Sequence, residues 1–215
     1  MKRSLLVGFL GLGLTVATTT DAQAQLTNMP TYAVPSAYGM PASAISVDFG
    51  RGLNEMSGKQ NAFGVAYVRT GIANRVGIAV GANMINYDPD AKYSFGGDVS
   101  VDLLGPDADV QIGVQGGLGY LSLETDYSTI NVPIGVAVKG QEAGESTTFG
   151  WWFMPRLHYA RYSFGGFSDS STDFGASGGA SVTMSSGFGI HAAIDLLAAD
   201  ENIWTGGIGA HYVIN

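Results

Sequence analysis

The chain has 215 residues, of which 13% are charged against an ordinary share of ~25%, while glycine fills 32 positions. Its 46% apolar content excludes a disordered chain, and the absence of cysteine excludes disulfide frameworks, thiolate zinc sites, iron–sulfur clusters and cysteine nucleophiles. A formal charge of −8, from 10 basic and 18 acidic residues, argues against nucleic acid as a partner, because phosphate binding needs clustered Lys and Arg.

The N-terminus carries a targeting pattern. Met1-Lys2-Arg3 is a basic n-region, Ser4 to Ala17 is apolar, and Ala22-Gln23-Ala24 has the small-x-small form of a signal-peptidase site. This predicts a signal peptide over 1–24, removed on export. The apolar core is shorter than the ~20 residues of a spanning helix, which separates it from an anchor. Residues 25–42 contain Pro30, Pro35 and Pro41 with Tyr32 and Tyr38, a composition that suits an extended periplasmic arm better than a ladder strand.

From Ser43 onward the pattern alternates with period two, as strands do when their two faces meet different surroundings. Ile45, Val47 and Phe49 oppose Ser46, Asp48 and Gly50; Phe63, Val65 and Tyr67 follow in a second strand, and Val76, Ile78 and Val80 in a third. In the fourth, Tyr93, Phe95, Val99 and Val101 oppose Ser94, Gly96, Asp98, Ser100 and Asp102. The fifth sets Val110, Ile112 and Val114 against Gln111, Gly113 and Gln115, and the sixth sets Ile130, Val132, Ile134, Val136 and Val138 against Asn131, Pro133, Gly135, Ala137 and Lys139. The seventh spans about Phe149 to Tyr162, and the last three run near Thr172–Met184, Gly187–Leu197 and Ile203–Ile214. The count is about ten, with eight as the alternative. Pro133 and Pro155 each remove a ladder donor, which predicts a bulge at each.

The two faces decide the class. A soluble barrel would show water a face rich in Lys, Glu and Thr; here the non-apolar face is mostly Gly, Ala and Ser with scattered Asp, Gln and His. Such a face suits a crowded lumen, and the continuous Val/Ile/Phe face then points to lipid. Ten to thirteen residues per strand match the ~9–11 that a tilted strand needs to cross a bilayer. The predicted fold is therefore all-β: a closed antiparallel up-and-down transmembrane β-barrel over 43–215. Short connections after even-numbered strands and longer ones after odd-numbered strands, including Arg51–Gln60, Glu124–Thr129 and Ser163–Ser171, put both termini at the short-turn end; Lys139–Thr147 is the exception. Aromatics at strand ends, among them Tyr93, Tyr120, Tyr159, Phe174, Trp204 and Tyr212, fit interfacial girdles.

Over residues 43–215 the sequence resembles the small porin-like outer-membrane β-barrel proteins of Gram-negative bacteria. The segment that carries the resemblance is Gly207-Ile208-Gly209-Ala210-His211-Tyr212-Val213-Ile214, with Gly209, Tyr212 and Ile214 at the positions of the family's C-terminal assembly signal. It departs from that signal in closing on Ile214-Asn215 rather than on Phe or Trp. Asn131-Val132-Pro133-Ile134-Gly135-Val136 and Trp152-Phe153-Met154-Pro155-Arg156 are also similar to porin-like segments. The resemblance implies location in the outer membrane of the cell envelope, with membrane lipid and the barrel-assembly machinery as partners, and a monomer.

Candidate chemistry lies on the inward face. His191 and Asp195, four apart on one strand, share it with Arg156, His158 and His211. A base beside a carboxylate is the beginning of a hydrolase. The omptin proteases, however, carry Asp-x-His, and no His here has Asp two positions before it; lipid A deacylase barrels carry His-x-Ser, and here the corresponding positions are Ala160, Ala193 and Val213. The reading adopted is a luminal polar network of Asp48, Asp98, Asp102, Gln111, Gln115, Arg156, His158, His191, Asp195 and His211, with Lys139 as a further cation, because buried charges require partners. Asp88-Pro89-Asp90 lacks the spaced oxygen ligands of a calcium loop, so neither metal nor cofactor is expected. The expected role is non-catalytic, structural or as a narrow passive pore. The alternatives are a membrane-embedded hydrolase acting on envelope lipid or peptide, and a soluble periplasmic binding barrel.

Overall fold

The structure, a computed structural model, describes residues 43–54, 61–72, 75–86, 91–104, 108–124, 127–199 and 202–214. The signal peptide, the proline-rich arm and the Asp88-Pro89-Asp90 turn lie outside them. Ten strands follow one another: β1 (Ser43–Gly52), β2 (Asn61–Ile72), β3 (Val76–Asn86), β4 (Ala91–Asp102), β5 (Val110–Glu124), β6 (Tyr127–Ala143), β7 (Thr147–Phe164), β8 (Phe167–Met184), β9 (Phe188–Ala198) and β10 (Asn202–Ile214). Each pairs antiparallel with its neighbours in sequence, and β1 closes on β10. The ten-stranded reading stands and the eight-stranded alternative falls. Closure leaves no strand edge along the wall, which a span of lipid requires.

Burial follows the alternation. On β1, Ile45 and Val47 are 50% and 58% exposed, whereas Ser46 and Asp48 between them are 3% and 6% exposed. Outward residues include Phe63, Val80, Phe95, Leu118, Ile134, Phe153, Leu157, Ile190 and Ile208. The buried set is small or polar, with a few larger fillers such as Ile85, Leu121, Trp152 and Met154. The core of this molecule is thus its lumen, and the apolar side chains that would form a soluble protein's core make its outer surface.

Three expectations are corrected. The Ser163–Ser171 segment is a ladder, not a loop: β7 and β8 pair without interruption to Phe164 and Phe167, joined by Gly165-Gly166 at φ 52° and 88°. Two consecutive positive-φ residues are what a type I′ hairpin turn needs, so the glycine pair lets the strands run to the tip. Likewise Lys139–Thr147 is not a long connection. β6 continues to Ala143, and the chain reverses within Gly144–Ser146, closed by a 2.7 Å bond from the Gly144 N–H to the Thr147 carbonyl. Neither proline produces a bulge. On the β5–β6 ladder the register is the same at Gly116↔Ile134 and at Gly119↔Asn131, on either side of the unpaired positions opposite Pro133. On β6–β7 it is the same at Gly135↔Arg156 and at Val138↔Phe153, around Pro155. Each proline keeps its pairing on one side, with His158 and with Ala176, so each costs a ladder donor without inserting a residue. Register does shift between Arg69 and Ile72 and between Ser122 and Glu124.

Ser43 pairs with Ile214, so the described chain starts and finishes at one end of the barrel, here called the near end; the other is the distal end. β9 stops opposite Phe174, so β8 stands seven residues beyond it, with β7 and the start of β6 alongside. The wall is therefore taller on this side at the distal end.

Candidate functional site in the barrel lumen

Each predicted luminal residue occupies an inward position on its strand, and the closed register decides which of them meet. Arg156 of β7 reaches over β8 to Asp195 of β9, placing Nη1 2.6 Å from Oδ1 and Nη2 2.8 Å from Oδ2. This two-pronged pairing is the strongest geometry available to a guanidinium and a carboxylate. Gly175 lies beneath it, where a Cβ would come within 3.2 Å of Arg156 Cζ. Both side chains are almost fully buried, at 1% and 5% exposure.

A second pair sits nearer the terminal end. Lys139 Nζ of β6 is 2.6 Å from Asp102 Oδ1 of β4, at 1% and 5% exposure. Gln115 hydrogen-bonds the Asp98 carboxylate close by, and the Gln111 amide donates to the Ala108 carbonyl at 3.2 Å. Lys139 is thus a full member of the luminal charge set.

A third cluster links the strands around the closing seam. His191 Nε2 lies 2.5 Å from Asp48 Oδ1, His191 Nδ1 lies 3.1 Å from His211 Nδ1, and His211 Nε2 lies 2.8 Å from Thr183 Oγ1. Ser46 donates to the second Asp48 oxygen at 2.8 Å. A carboxylate only accepts, so His191 Nε2 carries a proton; with both rings neutral, His191 Nδ1 then accepts from His211 Nδ1–H, and His211 Nε2 accepts from the Thr183 hydroxyl. The chain of donors runs in one direction, from Thr183 on β8 through β10 and β9 to Asp48 on β1. Two glycines make room for it. A Cβ on Gly209 would fall on Asp48 Oδ1 and within 2.5 Å of His191 Nε2, and one on Gly189 would fall on the His211 ring. His191 therefore partners Asp48, 143 residues away, and not Asp195, its neighbour on the same strand.

His158 stands apart from these three groups, with Nε2 3.1 Å from Asn131 Oδ1. Thr183, Asn131 and Ser46 were not singled out from the sequence. The available signal was parity alone, since each falls on the inward register of its strand. Among the described residues no group of three or more His and acidic side chains is arranged to hold a metal ion. Along the lumen from the distal to the near end, the buried side chains are Ile85, Leu121, Ala160 and Leu197, then Arg156 with Asp195, then Trp152 beside Lys139.

Of the proposed assembly signal, Gly209 faces inward beneath Asp48 and His191, while Tyr212 and Ile214 are outward and 52% and 43% exposed.

No family model matches the chain, and no curated protein matches it by sequence. Among solved structures it is similar to the β domain of the Bordetella autotransporter BrkA, with a TM-score of 0.50 and 10% identity over 81% of this chain and 98% of that one. It is also similar to the N-terminal β-barrel domain of Pseudomonas aeruginosa OprF, with a TM-score of 0.40 and 11% identity over 81% of this chain and 98% of that one. A third similar structure is the outer membrane enzyme PagL, with a TM-score of 0.39 and 10% identity over 79% of this chain and 98% of that one. At these identities the likeness is one of fold.

Proposed function

We propose that this chain is a monomeric integral barrel of the bacterial outer membrane, exported by a cleaved signal peptide, with a structural role and a lumen closed by its own side chains. The observation that carries this reading is the burial of the luminal charges: Lys139 and Arg156 are 1% and 2% exposed, far below what a residue lining a water path would show. The apolar outer wall supports placement in lipid, with the barrel-assembly machinery as the partner that inserts it.

The test is reconstitution of the folded, detergent-extracted protein in a planar bilayer. A closed structural barrel gives a silent membrane. Discrete conductance steps would replace this reading with the narrow pore. Recovery of the protein from the soluble periplasmic fraction, with no heat-dependent mobility shift on a detergent gel, would overturn membrane insertion altogether.

One observation favours the hydrolase alternative: Thr183, His211, His191 and Asp48 follow the order of a nucleophile, a base and two orienting groups. Against it, the chain faces the packed lumen while envelope lipid meets the outer wall. Thr183→Ala and His211→Ala variants settle the choice; a lipid- or peptide-hydrolysing activity of the wild type lost in both would establish the enzyme.

A further inference from the structure

The tall side of the barrel carries chemistry that neither lipid nor lumen uses. Cross-strand partners share a face, so the registers Tyr127↔Phe164 and Phe164↔Phe167 place three aromatic side chains in one row at the tip. Tyr127 and Phe164 are in ring contact at 6.1 Å, while Phe164 and Phe167 are 59% and 82% exposed. The same face continues downward along β8 through Asp169, Ser171 and Asp173 to the barrel mouth, where Asp173 pairs in register with His158. Arg161, the nearest cation in the ribbon, has the opposite parity and so the opposite face. Among the described residues neither Asp169 nor Asp173 has a cation at ion-pair distance. Among the described residues no strand lies on the β9 side of β8 over the stretch Phe167–Asp173, because that pairing begins at Phe174.

The open edge is occupied by its own side chain. The Ser170 N–H donates to Asp169 Oδ1 at 2.8 Å, and Ser171 Oγ donates to Asp173 Oδ2 at 2.9 Å. An N–H bonded to the preceding carboxylate is not bonded to β7, so it points to the unpaired side. An incoming backbone carbonyl at Ser170 would release the Asp169 carboxylate and leave it free for a cation.

We propose that the distal ribbon binds an extended, lysine- or arginine-bearing peptide segment, which adds a strand to the Phe167–Asp173 edge of β8. Backbone pairing supplies the register, as in other strand additions. Asp169 and Asp173, four positions apart and hence about 13 Å along the strand, receive cationic side chains of matching spacing. The Phe164 and Phe167 rings accept a further cation over their faces. An anionic segment meets two carboxylates and is rejected. This inference concerns the ribbon above the barrel mouth and stands whether the lumen is closed or conducting.

The test uses the folded full barrel in detergent micelles and a fluorescent peptide of about ten residues alternating Lys and Thr, followed by anisotropy. Two further probes are the same peptide with alternate backbone amides methylated, which keeps the charge and removes the donors, and a Glu/Thr counterpart. The Lys/Thr peptide is expected to bind, the methylated one about tenfold or more weakly, and the Glu/Thr one not at all. The D169N/D173N and Phe167→Ala variants, with unaltered gel mobility of the folded barrel, are each expected to weaken binding about tenfold. Absence of binding by the Lys/Thr peptide overturns the proposal. So does equal binding of the methylated peptide, which would reduce the effect to diffuse charge, and so does unchanged affinity in D169N/D173N.

Discussion

Arg156 and Asp195 illustrate what a luminal charge requires. Each would be costly alone in so buried a place, and the pair is held because both guanidinium prongs find an oxygen. Asp195→Ala strands the guanidinium, and the expected loss is about 3–5 kcal/mol, read as a lower urea midpoint for the folded gel band. Arg156→Met combined with Asp195→Leu removes both charges and is expected to recover most of that loss, since an apolar pair in the same volume has no desolvation term to offset. Gly209 offers a second, independent test. Its Cα lies beneath Asp48 and His191, so Gly209→Ala is expected to cost about 1–3 kcal/mol through overpacking. The loss should shrink in a His191→Ala background, where the ring is gone. A loss of the same size in both backgrounds would assign the crowding to Asp48 and not to the ring. Parity along a strand is a local property, which is why the inward position of these residues was legible in the sequence. The choice of Asp48 over Asp195 for His191 was not, because it depends on β1 meeting β10, and no local pattern encodes that closure.

Along the strands, too, local causes show in the sequence and distant ones do not. Strands β1 to β5 announce themselves by apolar alternation because the apolar outer face and the crowded lumen impose it. The upper parts of β7 and β8 rise beyond the end of β9, where Arg161, Ser163, Ser168 and Ser170 take outward positions and the alternation vanishes while the ladder continues. A Ser/Asp/Gly-rich stretch then looks like a loop, although Gly165-Gly166 is itself a hairpin signal. Pro133 and Pro155 depart from expectation for a different reason. A bulge is one way to absorb a missing donor; here the ladders run on at fixed register and simply omit the pair. Pro155 faces outward and lacks a partner only toward β6, so Pro155→Val restores a donor at a position already in register. It is expected to raise stability by about 0.5–1.5 kcal/mol, seen as a higher temperature for the heat-dependent mobility shift. A decrease would show that the β6–β7 spacing at Gly135, where a Cβ would approach the Pro155 carbonyl to 2.6 Å, is set by the proline and not merely tolerated.

For the whole molecule, the unusual composition has a division of labour. Apolar residues cover the outside, and glycine, alanine and serine occupy much of the inside, so that the few large luminal side chains can lie across the bore. Val47→Lys, on the lipid side of β1, is expected to cost about 2–4 kcal/mol if it lies near the bilayer midplane, although the adjacent Asp48 is accommodated because it points inward to His191. The inward face also makes a claim about conduction that can be graded. If the seal is made of side chains, removing them in sequence should open it in sequence. Arg156→Ala with Asp195→Ala deletes the middle pair without leaving either charge alone; adding Trp152→Ala removes the large ring beneath, over which Gly179 already provides space, since a Cβ there would fall on that ring. The first variant is expected to give rare, small conductance steps in a planar bilayer and the second frequent, larger ones, from a wild type that gives none. Folding of each is checked by its heat-dependent mobility before the bilayer is used. Silence in both folded variants would move the seal to the outer layer of Ile85, Leu121 and Leu197, whereas equal conductance in all three proteins would mean that water already passes the buried pair.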